Sequence, residues 1–221
     1  MKTDLFKIGS LTVHGYGFMI GIGFILAMLL AEYRAKKLGL REESVIDITI
    51  IAGLSGFLGA KLLYVIVEFD AFVKNPKAVL GSAGFVVYGG IIAGVLCCML
   101  YCKIKKLNFL EYFDLVMPEI ALAQGFGRIG CLLAGCCYGK ETSGAFSITF
   151  HTSAFAPNGV ALVPTQIYSS ILDFLHYGLL LLILRSQKKD GETAAAYLIF
   201  YSAGRFVLEF FRGDLARGSV G

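Results

Sequence analysis

The chain has 221 residues, of which 57% are hydrophobic and only 16% charged, with a mean hydropathy of +0.72. That balance excludes an ordinary soluble domain and points to an integral membrane protein. The formal charge of +4 calls for no nucleic-acid partner, because the inside-facing loops of membrane proteins are expected to be basic.

About 20 apolar residues make one crossing. On that measure the sequence predicts spans near 13–33, 45–67, 85–102, 112–137, 164–184 and 193–211. Residues 1–10 mix charge with polarity and do not read as a cleavable signal peptide. The fourth span is the least regular, since Pro118 and several glycines are able to bend or break it. Linkers are short except for 139–163, which reads as a small external loop or flap with a strand-like Ser-Ile-Thr-Phe-His-Thr segment. The expected fold is an all-α bundle of six transmembrane helices with this small external head, in one polytopic domain spanning 1–221. No internal repeat stands out, and the chain stops after Arg217-Gly-Ser-Val-Gly221 without a terminal anchor, as a truncated chain would.

Basic residues set the expected orientation. Loops 34–44, 103–106 and 185–189 are dense in Lys and Arg, which favours a cytoplasmic location for them. The N-terminus and the 139–163 loop are then external. The six cysteines include the adjacent pairs Cys97-Cys98 and Cys136-Cys137, but they show no C-x-x-C spacing and no pairing with the three histidines. Zinc is therefore not expected, and no cofactor is called for.

Arg128 lies inside the apolar, glycine-rich run from Ile120 to Gly139, and Arg205 lies inside another apolar segment, 194–211. Carrying a guanidinium to the hydrocarbon centre costs about 2.5–3.5 kcal/mol on insertion scales. Each arginine is therefore expected to face a protein interior or wet cavity. Arginine is also shaped to hold a phosphate through two parallel hydrogen bonds. Two such residues suggest a site for an anionic lipid headgroup.

Four clusters carry a further resemblance: His14-Gly-Tyr-Gly17, Val87-Tyr-Gly-Gly-Ile-Ile92, Gly127-Arg-Ile-Gly-Cys131 with Gly135-Cys-Cys-Tyr-Gly139, and Gly204-Arg-Phe-Val-Leu-Glu-Phe-Phe-Arg212. In this order, from about Val13 to Asp214, the chain resembles the prolipoprotein diacylglyceryl transferase family. Pro164-Thr-Gln-Ile-Tyr168 is similar to that family's proline-led start of the next helix. The resemblance implies a seven-helix fold, one more helix than this chain holds. It also implies transfer of a diacylglyceryl group from phosphatidylglycerol to the lipobox cysteine of a prolipoprotein, on the outer side of a bacterial cytoplasmic (inner) membrane. Arg128 and Arg205 would bind the phosphate, Tyr16 would contact the lipid, and Glu209 with Arg212 would brace Arg205. His14, Gly89, Gly90 and Cys131 complete the expected lipid contacts.

Three positions depart from the family pattern: Tyr88 stands for a histidine, Cys131 for an asparagine and Cys136 for an acidic residue. An unperturbed Tyr titrates near pH 10 against about 6.5 for His, so Tyr88 is the weaker base. Cys136 or Cys131 beside Arg128 is a candidate nucleophile, since cations favour the thiolate. Blander readings stand beside these. Cysteines pack as small hydrophobes, Arg128 or Arg205 can pair structurally with Glu119 or Glu209, and Gly89-Gly90 can serve helix packing alone. His14 can be an interfacial hydrogen bonder, His176 with Asp173 a joint between helices, and Lys61 a snorkelling side chain or a headgroup contact. The acceptor need not be a lipoprotein cysteine. An anionic-phospholipid-binding or transporting protein without transferase chemistry is the alternative function.

Overall fold

The computed structural model describes residues 4–8, 11–82 and 84–213. In chain order these form strand β1 (Asp4–Ile8), strand β2 (Leu11–His14), helix α1 (Gly15–Leu38), α2 (Glu42–Val67), two short helices α3 (Phe69–Lys74) and α4 (Pro76–Gly81), α5 (Val87–Lys105), α6 (Phe109–Ala134), strands β3 (Ile148–Thr149) and β4 (Ala161–Leu162), α7 (Thr165–Ser186) and α8 (Glu192–Glu209). The protein is mostly helical, as expected, with two small hairpins added. β1 pairs antiparallel with β2 ahead of α1, and β3 pairs antiparallel with β4 inside the predicted external loop.

Among the described residues, the helices of 18 or more residues fall where the six spans are predicted. Four of them, α1, α2, α5 and α7, are long and apolar enough to cross a membrane. The other two, α6 and α8, are interrupted by charge: Glu111, Asp114, Glu119 and Arg128 in one, Glu192, Arg205 and Glu209 in the other. The two helices that carry the arginines are thus the least membrane-like of the set.

The chain divides into two compact units, Met1–Ala31 with Phe113–Gly221, and Glu32–Tyr112. In the second unit α2 and α5 pack through glycine. A Cβ built on Gly59 would lie 2.5 Å from the Gly89 carbonyl oxygen, and one on Gly90 would lie 2.7 Å from that of Gly56. Only hydrogen side chains allow backbones this close, the usual basis of tight helix association in membranes. The outward faces, with Leu58, Leu62 and Ile66 on α2 and Ile92, Leu96 and Leu100 on α5, are exposed and apolar. Lys61 is committed to the turn before α5. Its Nζ donates to the Ser82 carbonyl at 2.7 Å and the Gly84 carbonyl at 3.3 Å, beside the rings of Tyr64 and Phe85.

In the first unit Met117 and Ala121 of α6, Leu180 of α7 and Ala194 and Tyr197 of α8 form a buried core. Asp114, fully buried on α6, accepts from the Gly191 N–H at 2.5 Å and the Ala194 N–H at 2.8 Å. It thereby caps the start of α8, where a negative charge meets the positive end of the helix dipole. Pro118 does not interrupt α6. The helix stops at Ala134 rather than 137, because Gly135 takes a left-handed φ of 73°. Its N–H then donates to Leu132 and that of Cys136 to Cys131, the paired bonds of a Schellman cap. α1 ends the same way at Gly39, with bonds to Lys36 and Ala35.

Segment 139–163 holds a small packed core of its own, formed by Phe150, Ala156 and Leu162. Its stem is sewn by the bonds Gly139 N–H to Val163, Val163 N–H to Lys140 and Thr142 N–H to Ala161. Two further backbone bonds, Lys140 N–H to Phe211 and Gly213 N–H to Tyr138, join it to the chain leaving α8.

Candidate active site

A cavity of ≈ 230 Å³ lies in the first unit, and both Arg128 and Arg205 line it. Arg128 comes from α6, Asp173 and His176 from α7, and Tyr201 and Arg205 from α8. The remaining wall is largely leucine and includes Phe200. Two guanidiniums facing an apolar wall make a cavity suited to an amphiphile with an anionic head. Arg205 does not stand alone, because its guanidinium pairs with Glu209 one turn on, at 2.9 Å. His176 stacks on Tyr197 with ring centroids 5.2 Å apart, and its Nε2 finds no hydrogen-bond partner among the described residues. Asp173 is buried one turn before it.

The end of α6 carries a second feature. The Sγ atoms of Cys131, Cys136 and Cys137 all lie within 4.8 Å of one another. Cys131 and Cys136 meet because the Schellman cap folds its third-last helical position against the residue after the glycine. Cys137 joins them through a left-handed backbone of its own, φ 59°. That conformation costs a non-glycine residue on the order of 1–3 kcal/mol and persists only where the surroundings fix it. Here Gln166 Nε2 donates to the Cys136 carbonyl and Thr165 Oγ1 to the Cys137 carbonyl, each at 2.9 Å. Hydrogen bonding from Cys131 and Cys136 holds the Cys137 thiol well below its ordinary range, with the Arg212 and Arg128 guanidiniums adding to the effect against burial. The same bonds to Cys131 and Cys137 push the Cys136 thiol up. Cys137 thus shares the environment that the sequence reading gave to Cys131 and Cys136.

Tyr16 stands at the first turn of α1 against the end of α6. A Cβ on Gly130 would fall 3.1 Å from its carbonyl oxygen and 3.2 Å from its ring. It lies within electrostatic reach of all three cysteines and of Arg128. His14 closes β2 immediately before α1 and is exposed. Arg212, just beyond α8, forms a backbone bridge with Gly139. Tyr88, Gly89 and Gly90 belong to the start of α5 in the other unit. The close approach to Gly59 and Gly56 accounts for both glycines, and Tyr88 is exposed.

A model of the prolipoprotein diacylglyceryl transferase family matches residues 3–220. The chain belongs to that family. It is 47% identical over 222 residues to a phosphatidylglycerol–prolipoprotein diacylglyceryl transferase of Clostridium tetani, covering 100% of this chain and 88% of that one. A second relative so named, from Clostridium perfringens, is 49% identical over 225 residues, covering 100% and 87%. One from Staphylococcus aureus is 35% identical over 216 residues, covering 95% and 77%. The relatives are diacylglyceryl transferases by name, so the family is one of transferases.

Three residues of this diacylglyceryl transferase family member escape the motif reading. Cys137 stands in the Gly135-Cys-Cys-Tyr-Gly139 string without a role of its own, because a fourth span running to 137 hides the cap that brings its sulfur to Cys131. Asp173 and His176 are visible in sequence only as polar residues one turn apart in an apolar helix, a signal for an interior face with no indication of what they face. The cavity supplies that.

Proposed function

We propose that the protein transfers the diacylglyceryl group of phosphatidylglycerol to the lipobox cysteine of a prolipoprotein, within a bacterial cytoplasmic membrane and on its external side. The observation that carries this reading is the shared cavity, where Arg128 and Arg205 face an apolar wall. The guanidiniums hold the phosphate and stabilise the charge that grows on it as it leaves. The acceptor sulfur forms a bond to the glycerol carbon that bears the phosphate ester. That carbon–oxygen bond breaks, and glycerol phosphate departs with the electron pair. The thiol proton is given up to solvent water as the acceptor sulfur attacks. Direct attack by the acceptor needs no covalent intermediate on the enzyme.

In this reading all six long helices cross the bilayer, α6 and α8 turning Arg128 and Arg205 into the cavity. Basic loops 34–44, 103–106 and 185–189 face the cytoplasm, and the 139–163 head stands over the external end, where it restricts approach of the signal peptide. Purified protein supplied with phosphatidylglycerol and a lipobox peptide should release glycerol phosphate and leave a thioether on the peptide. It should also restore lipoprotein processing in a transferase-deficient bacterium. Binding of phosphatidylglycerol without release in either assay would identify a lipid-binding protein instead.

A further inference from the structure

The cap at the end of α6 has a counterpart in the same molecule. At the end of α1 the two positions brought together by the long cap bond are Ala35 and Leu40, an ordinary apolar pair for this motif. At the end of α6 they are Cys131 and Cys136. The third sulfur is added by Cys137, whose left-handed backbone extends the reversal begun at Gly135. Side chains at the start of α7 hold the carbonyls of Cys136 and Cys137. All three thiols are unbridged. Cys131 is buried while Cys136 and Cys137 are half-buried.

We propose that Cys131, Cys136 and Cys137 form a three-thiolate site for a soft divalent cation of the zinc class, with the fourth coordination position open to the acceptor's thiol. Zinc–sulfur bonds of about 2.3 Å in a tetrahedron put sulfurs roughly 3.8 Å apart. Atoms already within 4.8 Å of one another need to close by only about 1 Å to reach that geometry. Thiolate ligands select such ions over hard cations, and three protein ligands with one open position is the pattern of catalytic rather than structural zinc. Three thiolates and a divalent cation leave one negative charge, which sits among cations. Arg128 precedes Cys131 by one turn on the same face of α6, and both Arg128 and Arg212 act electrostatically on Cys137.

The role of the fourth position rests on the transferase reading above. A thiol that coordinates the ion does so deprotonated, releasing its proton to water. The bound sulfur then attacks the glycerol carbon, the carbon–oxygen bond to phosphate breaks, and glycerol phosphate leaves with the pair. The product thioether has no charge to give the ion and dissociates, restoring the open position. No oxidant or reductant enters the cycle.

The test begins with full-length protein, reduced and stripped with a chelator, then titrated with Co²⁺ alone. The expected result is one equivalent bound with a sulfur-to-cobalt charge-transfer band. Cys131→Ser, Cys136→Ser and Cys137→Ser should each weaken binding by at least about tenfold, while Cys97→Ser leaves it unchanged. Zn²⁺ should raise the melting temperature of the parent protein and of Cys97→Ser only, which keeps the ion site testable if a variant folds poorly. Absence of the band, equal loss in Cys97→Ser, or a native disulfide among the three cysteines with no cation bound after reduction would overturn the site. Stripped protein should lose glycerol phosphate release and regain it with one equivalent of Zn²⁺, while still binding phosphatidylglycerol vesicles. Full turnover without metal would overturn the role of the fourth position. If neither stripped nor loaded protein releases glycerol phosphate, the transferase reading itself fails, and the cobalt band still decides whether the ion site exists.

Discussion

Arg205 is the residue at which recognition and support separate most cleanly. Its ion pair with Glu209 orients a guanidinium whose two parallel donors a lysine cannot reproduce. We expect Arg205→Lys to lose one charge-assisted hydrogen bond, about 1.5–3 kcal/mol, or roughly ten- to a hundredfold in kcat/KM for phosphatidylglycerol. Glu209→Gln should lose less, because it loosens the arginine without removing it. Equal activities of Arg205→Lys and the parent protein would refute phosphate recognition there. Lys61, by contrast, is engaged with Ser82 and Gly84, so Lys61→Met should lower thermal stability rather than lipid affinity. At this scale the sequence made both arginines legible, because a charge inside an apolar run has few explanations. It hid the cysteine group, because its convergence depends on where a helix ends and on the handedness of one backbone angle at Cys137.

At the scale of elements, two contacts should answer substitution with opposite signs. Gly59 lies against the α5 backbone, and a methyl there would meet the Ala93 Cβ and, at 2.5 Å, the Gly89 oxygen. Gly59→Ala should therefore overpack α2 against α5 and cost about 1–3 kcal/mol. Gly53 on the same helix has nothing within 4 Å, so Gly53→Ala should be neutral or stabilising by up to about 1 kcal/mol. Paired thermal melts in detergent check both, and a destabilised Gly53→Ala with an unaffected Gly59→Ala would contradict the packing described. Asp114 gives a third expectation. Removing the carboxylate that receives two N–H groups at the start of α8 should cost about 1–2 kcal/mol in Asp114→Ala, with Asp114→Asn retaining part of it. The long helices were readable from apolar run length alone. The strand-like segment that holds β3 was readable too, whereas the hairpin before α1, the short helices α3 and α4 and the core of the head were not, since each depends on pairing or on small local contacts that leave no periodic trace over a few residues.

At the scale of the whole molecule, the density of basic residues in loops 34–44, 103–106 and 185–189 sets a testable orientation. A protease site inserted after Gly144, in the exposed part of the head, should be cut in intact cells or spheroplasts. One inserted between Lys188 and Asp190 should be cut only after permeabilisation, and the reverse pattern would invert the topology. The head also bears on how lipid reaches the arginines. Its backbone bonds from Lys140 to Phe211 and from Gly213 to Tyr138 hold the ends of α6 and α8 together as a seam. The cavity is bordered instead by Leu172, Leu175, Leu179 and Phe200, all exposed on the flank of α7 and α8. A two-tailed lipid can slide in along the plane of the bilayer by that flank, its acyl chains never meeting water. Saturation would then follow the mole fraction of phosphatidylglycerol in the membrane, so diluting it with a neutral lipid should slow turnover even when the total amount of lipid is held fixed.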